Sequence, residues 1–365
     1  MPVGLMDIKG QYAELQDQIE GAVLDVLRSG RVILGPQVKG FEEKAAAYLG
    51  TSGAVGVANG TDGHTIALRA LGLGEGDEVI TTPFTFYASA EAIVQAGATP
   101  VFVDIREDTL NMDPAAIEAA ITPRTKAVMP IDIFGLPADA DEIAAIAHEH
   151  GLAVVEDACQ AFGATYKDRR AGALGDIGVF SFFPTKNLGG FGDGGLVTSR
   201  DAELVDTARI LRFHGSRDKK SFELIGFNSR LDELQAAILS IELTVIDDWN
   251  TRRRQVAAWY DEHLPADVVR PAVPADRTHV YHLYEMRHPQ RDAIAGAFKE
   301  RQVDCAAYYT TPLHLQPVFA WMGHTLGSFP VTEKAAAENL AIPMHPNLTK
   351  EQVKEVAAAV AAGIG

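Results

Sequence analysis

The chain has little cysteine, no long apolar run and no surplus of positive charge. Cys159 and Cys305 are the only cysteines among 365 residues. That is too few for a disulfide scaffold, and nothing around them has zinc-ligand spacing. The scarcity suits a reducing cytoplasm, the expected location, and no metal site is expected. Cys159 reads as a small buried hydrophobe. No apolar stretch reaches the length of roughly 20 residues that spans a bilayer. The start, Met1-Pro2-Val3-Gly4-Leu5-Met6-Asp7, lacks a basic segment followed by an apolar one, so no secretory leader is expected. Lys and Arg total 32 against 49 Asp and Glu, a formal net charge of -17. Such a balance argues against nucleic acid and anionic membranes as partners. A small anionic ligand would need a local basic patch. The run from Arg209 to Lys220, with Arg212, His214, Arg217 and Lys219, is one candidate, and a solvated basic face is the equal alternative.

What is present is an α/β pattern. The hydrophobic fraction of 47% suits a soluble globular protein, and the length is enough for a large core and two domains. Strands are expected at Ala54–Ala58, Glu78–Thr82, Pro100–Val103, Lys126–Ile131, Ala153–Glu156, Gly178–Phe182 and Gly195–Ser199. Helical patterns separate them at Thr61–Leu71, Tyr87–Ala96, Pro114–Ala120, Ala138–His150 and Asp201–Arg212. This alternation predicts a mainly parallel sheet. One long helical stretch, Leu231–His263, follows, then strand-like Thr278–Arg287, helical Arg291–Arg301 and a final helix Lys350–Ala362. The division expected is a large domain over residues 1–245 and a smaller C-terminal α/β domain over 246–365.

In open parallel sheets ligands bind at the carboxyl ends of strands. Asn59-Gly60-Thr61-Asp62, Pro83-Phe84-Thr85-Phe86, Asp104, Asp157 and Ser181–Lys186 all fall near such ends. Asp157 closes an apolar run, and Lys186 follows another and precedes the glycine-rich stretch Gly189–Gly195. A carboxylate at one strand end and an amine just past another is what pyridoxal phosphate chemistry uses: the carboxylate keeps the pyridine nitrogen protonated and the amine forms a Schiff base. Taken singly, Asp157 reads sooner as a helix cap and Lys186 as a surface lysine. Gly60-Thr61 opens a helix and offers N–H groups and a hydroxyl to a phosphate, which Ser181 can join. Phe86 or Tyr87 can stack on a ring, and Gln160 can reach a ring oxygen. His64 reads as a helix-surface or packing residue.

The segments Asn59-Gly60-Thr61-Asp62, Val155–Gly163, Ser181–Gly189, Gly192-Asp193-Gly194-Gly195 and Asn228–Ala237, in that order, resemble the DegT/DnrJ/EryC1/StrS family. The resemblance runs from Ser29-Gly30 to Pro343-Met344-His345-Pro346. It implies a pyridoxal 5'-phosphate-dependent transferase of fold type I, aspartate aminotransferase-like, with a mainly parallel seven-stranded sheet in the large domain. It further implies that Lys186 and Asp157 are catalytic. Gly60, Thr61 and Ser181 would hold the phosphate, Phe86 would stack on the ring and Gln160 would meet its phenolic oxygen. Asn228 would reach the phosphate of a second subunit, in a homodimer with shared active sites. Arg230, Tyr309 and His314 would line the sugar side. Related dehydratases carry His where this chain has Lys186, so the resemblance implies transamination.

The implied reaction moves an amino group from L-glutamate to a nucleotide-linked keto-sugar in polysaccharide or lipopolysaccharide biosynthesis. UDP-2-acetamido-3-keto-glucuronic acid, aminated at C-3, is the first expectation. It rests on Asn228–Asp232 and Thr311–Pro317, with Arg230 as a bidentate partner for a uronate carboxylate or, almost as readily, paired with Asp232 or a helix end. dTDP-3-keto-6-deoxyhexoses and 4-keto-sugars are the alternatives, ahead of a sugar dehydratase or a non-catalytic regulatory protein. Two positions depart from the family pattern: Tyr308-Tyr309 where His-Tyr is usual, and Gly63-His64 after Asn-Gly-Thr-Asp.

Overall fold

The computed structural model describes residues 2–365. Its centre is a sheet whose first five strands are β1 (Gly53–Val57), β2 (Glu78–Thr81), β3 (Thr99–Phe102), β4 (Thr125–Val128) and β5 (Ala153–Asp157). A short hairpin, β6 (Thr165–Tyr166) with β7 (Arg169–Arg170), precedes the last two, β8 (Ile177–Ser181) and β9 (Gly195–Ser199). The order is β1-β9-β8-β5-β4-β2-β3. Neighbours from β8 to β3 run parallel, and β9 is antiparallel to both β8 and β1. The seven-stranded, mainly parallel sheet therefore matches expectation, and each strand starts within a residue of the predicted position.

Both faces of the sheet are covered, which is why its strands read as apolar runs. The period of two sorts their side chains. Val55, Val57, Val179 and Val197 join one core with Ile66 and Leu68, whereas Ala54, Phe180 and Leu196 join the other with Phe41 and Trp249. Helices α1 (Ile8–Ser29) and α2 (Pro36–Leu49) precede the sheet and pack on the later helix Glu233–Glu242. Helices α3 (Gly60–Ala70), α4 (Tyr87–Gln95), α5 (Ile117–Ala120), α6 (Ala140–Glu149) and α7 (Ala202–Leu211) lie between or after its strands. Gly72, Gly97 and Gly151 end three of them with positive φ of 81°, 94° and 64°, as their C-cap positions require.

Two expectations fail for local reasons. Residues 231–263 form two helices, α8 (Glu233–Glu242) and α9 (Ile246–His263). The break holds Thr244 and Val245, and Thr244 Oγ1 donates back to the Ile241 carbonyl at 2.7 Å, which offers the backbone an alternative to the helix. Of Thr278–Arg287 only β10 (Tyr284–Arg287) is a strand, because Tyr281 takes a φ of 46° and interrupts the extended run. Beyond it come α10 (Arg291–Glu300), α11 (Pro330–Glu338), β11 (Asn339–Ile342), antiparallel to β10, and α12 (Lys350–Ile364). Helices α9, α10 and α12 share a third core with Tyr284, Met286 and Ile342. Among the described residues no helix is long and apolar enough to cross a membrane.

Buried Glu233 ties the N-terminal helices to the sheet domain. Its carboxylate accepts from the N–H groups of Gly35 (2.8 Å), Gln37 (3.0 Å) and Val38 (2.8 Å), the open end of α2. Glu233→Ala strands these donors, and each buried unpaired group costs about 1–3 kcal/mol. Urea unfolding of this variant should show a loss of about 3 kcal/mol. A midpoint equal to that of the wild type would mean the cap is dispensable.

Candidate active site

A cavity of about 760 Å³ opens at the carboxyl ends of β1, β2, β5 and β8. Asn59, Gly60 and Thr61 reach it from the start of α3, Thr85 and Phe86 from the turn after β2, Asp157 from the end of β5, and Ser181 and Lys186 from the end of β8 and beyond. The convergence read from the sequence is therefore real for these groups. Asp104, expected on the same rim, is elsewhere. Its carboxylate accepts from Val331 N–H, Thr332 N–H and Thr332 Oγ1 and so caps α11.

Asp157 is 4% exposed. Ser89 Oγ donates to its Oδ2 at 2.7 Å, Cys159 N–H donates to Oδ1 at 3.2 Å, and His64 Nε2 lies 3.3 Å from Oδ1. Burial alone would raise this carboxyl. The charge and contact of His64, with Ser89 and Cys159, more than offset that and hold it well below the usual carboxylate range. Asp157 is thus ionised inside a dry wall. Lys186 is the complementary case: burial lowers its amine below the ordinary lysine value, against the opposing pull of Cys159 and Asp157. A larger fraction of neutral amine is the form that attacks a carbonyl.

The start of α3 supplies the third element. Asn59 caps the helix through Asp62 N–H (2.8 Å), leaving the first N–H groups free to face the cavity. A side chain on Gly60 would place its Cβ 2.9 Å from Ser181 Cβ and 3.1 Å from Cys159 Sγ, so only glycine keeps this cradle open. Gln160 accepts from Phe134 N–H at 2.7 Å and points its amide nitrogen at Tyr309 OH (3.2 Å), both within the cavity wall. Phe86 is exposed, lines the cavity and sits 6.3 Å from the Tyr309 ring. Tyr87 turns away to pack on Phe319.

Three predicted site residues lie outside this cavity. His314 is buried with Nε2 3.0 Å from Glu333 Oε1 and its ring 4.8 Å from Phe329. It is a packing residue within one chain. Asn228 is exposed, and Arg230 is half-buried with its guanidinium 5.9 Å from the Phe213 ring. Neither lines the cavity of a single chain. The basic run from Arg209 also resolves into ion pairs: Arg212 and Arg209 with Glu42, and Arg217 with Asp206 and Glu223. Lys219 lies over the Phe213 ring at 4.9 Å.

Sequence reasoning missed Ser89, His282 and above all His64. His282 lines the cavity, and burial first, then Lys186, hold its imidazole well below the ordinary value and hence neutral. His64 was detectable by helical spacing, since it lies one turn after Gly60 on the same face of α3. His64, Asp157 and Cys159 offer ligand atoms within 4.8 Å of one another. Burial raises the Cys159 thiol well up, however, which favours the neutral packing role expected of it.

An ionised carboxylate, a neutral-prone amine and a helix N-terminus around one cavity fit a cofactor with a pyridine nitrogen, an aldehyde and a phosphate. The comparisons agree. The model of the DegT/DnrJ/EryC1/StrS aminotransferase family matches residues 13–361. The chain is 47% identical to the pleiotropic regulatory protein of Geobacillus stearothermophilus (99% of this chain, 98% of the relative). It is 45% identical to dTDP-3-amino-3,4,6-trideoxy-alpha-D-glucose transaminase of Streptomyces venezuelae (98% and 95%). It is 44% identical to UDP-N-acetyl-3-dehydro-alpha-D-glucosamine 3-aminotransferase of Acidithiobacillus ferrooxidans (98% and 97%). The solved structure of S. venezuelae DesV in complex with a ketimine intermediate superposes with a TM-score of 0.96 at 45% identity, over 98% of this chain and 97% of that one.

Borohydride reduction with pyridoxal phosphate at neutral pH should attach the cofactor to Lys186 in preference to the other lysines, read by peptide mass. Lys186→Ala should abolish that label and lower turnover about 1,000-fold. Labelling spread evenly over surface lysines would reject Lys186 as the attachment point.

Proposed function

Because the chain belongs to the DegT/DnrJ/EryC1/StrS aminotransferase family, whose members are pyridoxal phosphate-dependent, we propose that it carries an amino group from L-glutamate to C-3 of a nucleotide-linked keto-sugar. The observation that carries this reading is the pairing of Lys186 and Asp157 across one cavity with the open start of α3. When bound, the cofactor supplies an aldehyde that accepts an amino group and a ring that withdraws negative charge from the reacting carbon. The chain's residues do the rest. Asp157 would keep the ring nitrogen protonated. The N–H groups of Gly60 and Thr61, with Ser181, would hold the phosphate. Phe86 would stack on the ring, and Gln160 would meet its phenolic oxygen. Lys186 Nζ takes the proton from the donor's α-carbon and later delivers one to the sugar carbon that receives nitrogen. Glutamate leaves as 2-oxoglutarate and the keto-sugar as an amino-sugar, so the two halves balance.

The names of the two transaminase relatives both specify position 3, one on a dTDP-sugar and one on a UDP-sugar. That supports C-3 and leaves the nucleotide to the sugar-side residues. Arg230 favours UDP-2-acetamido-3-keto-glucuronic acid as the first substrate to test. Among the described residues it has no carboxylate within 4 Å, so the expected alternative, pairing with Asp232, is not formed. A free guanidinium is suited to a uronate carboxylate. We further propose a homodimer in which Asn228 and Arg230 serve the cavity of the other subunit. Both lie beside an exposed apolar run with Phe222, Leu224 and Ile225, which a second copy would cover. Residues 1–245 would form the large domain and 246–365 the small one. The regulatory name of one relative suggests a non-catalytic reading, but Lys186, lowered from the ordinary lysine value and set with Asp157 on one cavity, favours catalysis.

L-Glutamate added to the yellow holoenzyme should bleach its visible band and release 2-oxoglutarate. A band untouched by glutamate would overturn the donor assignment. Arg230→Ala should cut turnover of a 3-keto-uronate about 100-fold while leaving the glutamate half-reaction within about twofold, since a lost charge-assisted pair is worth about 1.5–3 kcal/mol. Equal losses in both halves would reject the carboxylate role.

A further inference from the structure

The proposals above leave His64 without a task, although its position is unusual. It is a histidine 2% exposed, in the second turn of α3, with Nε2 3.3 Å from Asp157 Oδ1. Neither ring nitrogen has a well-aligned hydrogen bond to any other group. The contact is longer than the 2.7 Å bond from Ser89, so it is an ion-pair contact more than a directed hydrogen bond. A buried imidazole with no aligned partner is costly unless it is paired through charge. Packing alone would be better served by an apolar side chain of similar size. The site therefore keeps His64 for what it does to its neighbour.

Asp157 lies among several titratable groups. His64 faces it from α3, Cys159 from the following turn, Lys186 from beyond β8, Tyr309 from the opposite wall and Asp132 from the end of β4. Among the described residues, His64 is the one side chain able to carry positive charge within 4 Å of the carboxylate. Ser89 and Cys159 N–H hold the carboxylate in place, but they bring no full charge.

We propose that His64 is a positioning residue for the cofactor: its imidazolium keeps Asp157 ionised and fixed in orientation, so that the carboxylate can pair with the pyridine nitrogen. This rests on the cofactor assignment and is independent of the sugar. Its direction with pH follows. A cation beside Asp157 lowers the carboxyl's pKa, so ionised Asp157 persists to lower pH. Without it the carboxyl protonates earlier as pH falls, and cofactor affinity falls with it.

The test is a titration of the apoprotein with pyridoxal phosphate from acid to neutral pH, read by absorbance, with thermal melting of each apoprotein alongside. His64→Leu should bind about tenfold more weakly at neutral pH, the equivalent of one pKa unit of interaction, and its acid limb should move to higher pH. Affinity and acid limb equal to the wild type would overturn the proposal. His64→Gln, which keeps shape and a donor without charge, serves where the leucine variant melts early. It should show the same shift of the acid limb, and an unshifted limb would overturn the role of charge. In an Asp157→Asn background the loss from His64→Leu should vanish, because the partner is gone. The same tenfold loss in both backgrounds would make His64 merely structural. A wild-type chain that takes up no cofactor would overturn the cofactor reading itself, an outcome distinct from these.

Discussion

Three carboxyl groups share the dry end of the parallel sheet, and the way their environments separate them governs the rest of the site. Asp132 is buried, and burial first, then Glu156 and Asp157, push its carboxyl well above the ordinary value. Glu156, one residue before Asp157, spends its oxygens on the N–H groups of Gly172, Leu174 and Gly175. Asp157 alone meets a potential cation, a hydroxyl and an N–H together, and it is the one held ionised. Neighbouring acids driven apart in this way have different jobs. Here Asp132, raised by burial, and the backbone-bound Glu156 lie behind the site, and Asp157 lines the cavity.

Other carboxylates of this acidic chain are tied into the fold by backbone N–H groups. Glu233 closes the start of α2, and Asp104 closes the start of α11. Glu42 accepts from Gly56 N–H at 2.8 Å and pairs with Arg212, itself bound to the Gly56 carbonyl. Each of these carboxylates joins segments distant in sequence. Each also satisfies N–H groups that a parallel sheet wrapped in helices would otherwise bury unpaired.

Legibility in the sequence followed physical signal. The seven strands were readable because two-sided burial makes each a dense apolar run, set off by glycine and proline. Gly60, Asp157, Ser181 and Lys186 were readable because strand ends in this architecture point one way. Helices α1 and α2 were missed. The first buries only Leu15, Ile19 and Val26 over its length, which is too sparse a stripe to stand out. The break at Thr244 and the turn at Tyr281 depend on single backbone choices that periodicity does not encode. Asp104 and His314 carried the right chemistry at the right strand or loop. Their partners on α11, Thr332 and Glu333, took them out of the site, and that competition is tertiary. His64 failed in the other direction, because a lone helical histidine gives no sign of which side chain it will face.

One feature of the cavity bears on how specificity is built. Gly60, Thr61, Asp157, Ser181 and Lys186, which line the cavity, lie on helix starts, strand ends and the loops just past them within one chain. The guanidinium best suited to a sugar acid does not reach that cavity from the same chain. It lies five residues after the exposed Ile225. In the proposed homodimer, a rigid floor from one chain and a loop from its neighbour would separate two demands. The floor must keep one protonation pattern for every substrate, whereas the loop can change its side chains without disturbing Asp157 or Lys186. Relatives of about the same identity named for dTDP- and UDP-sugars are what such a division allows.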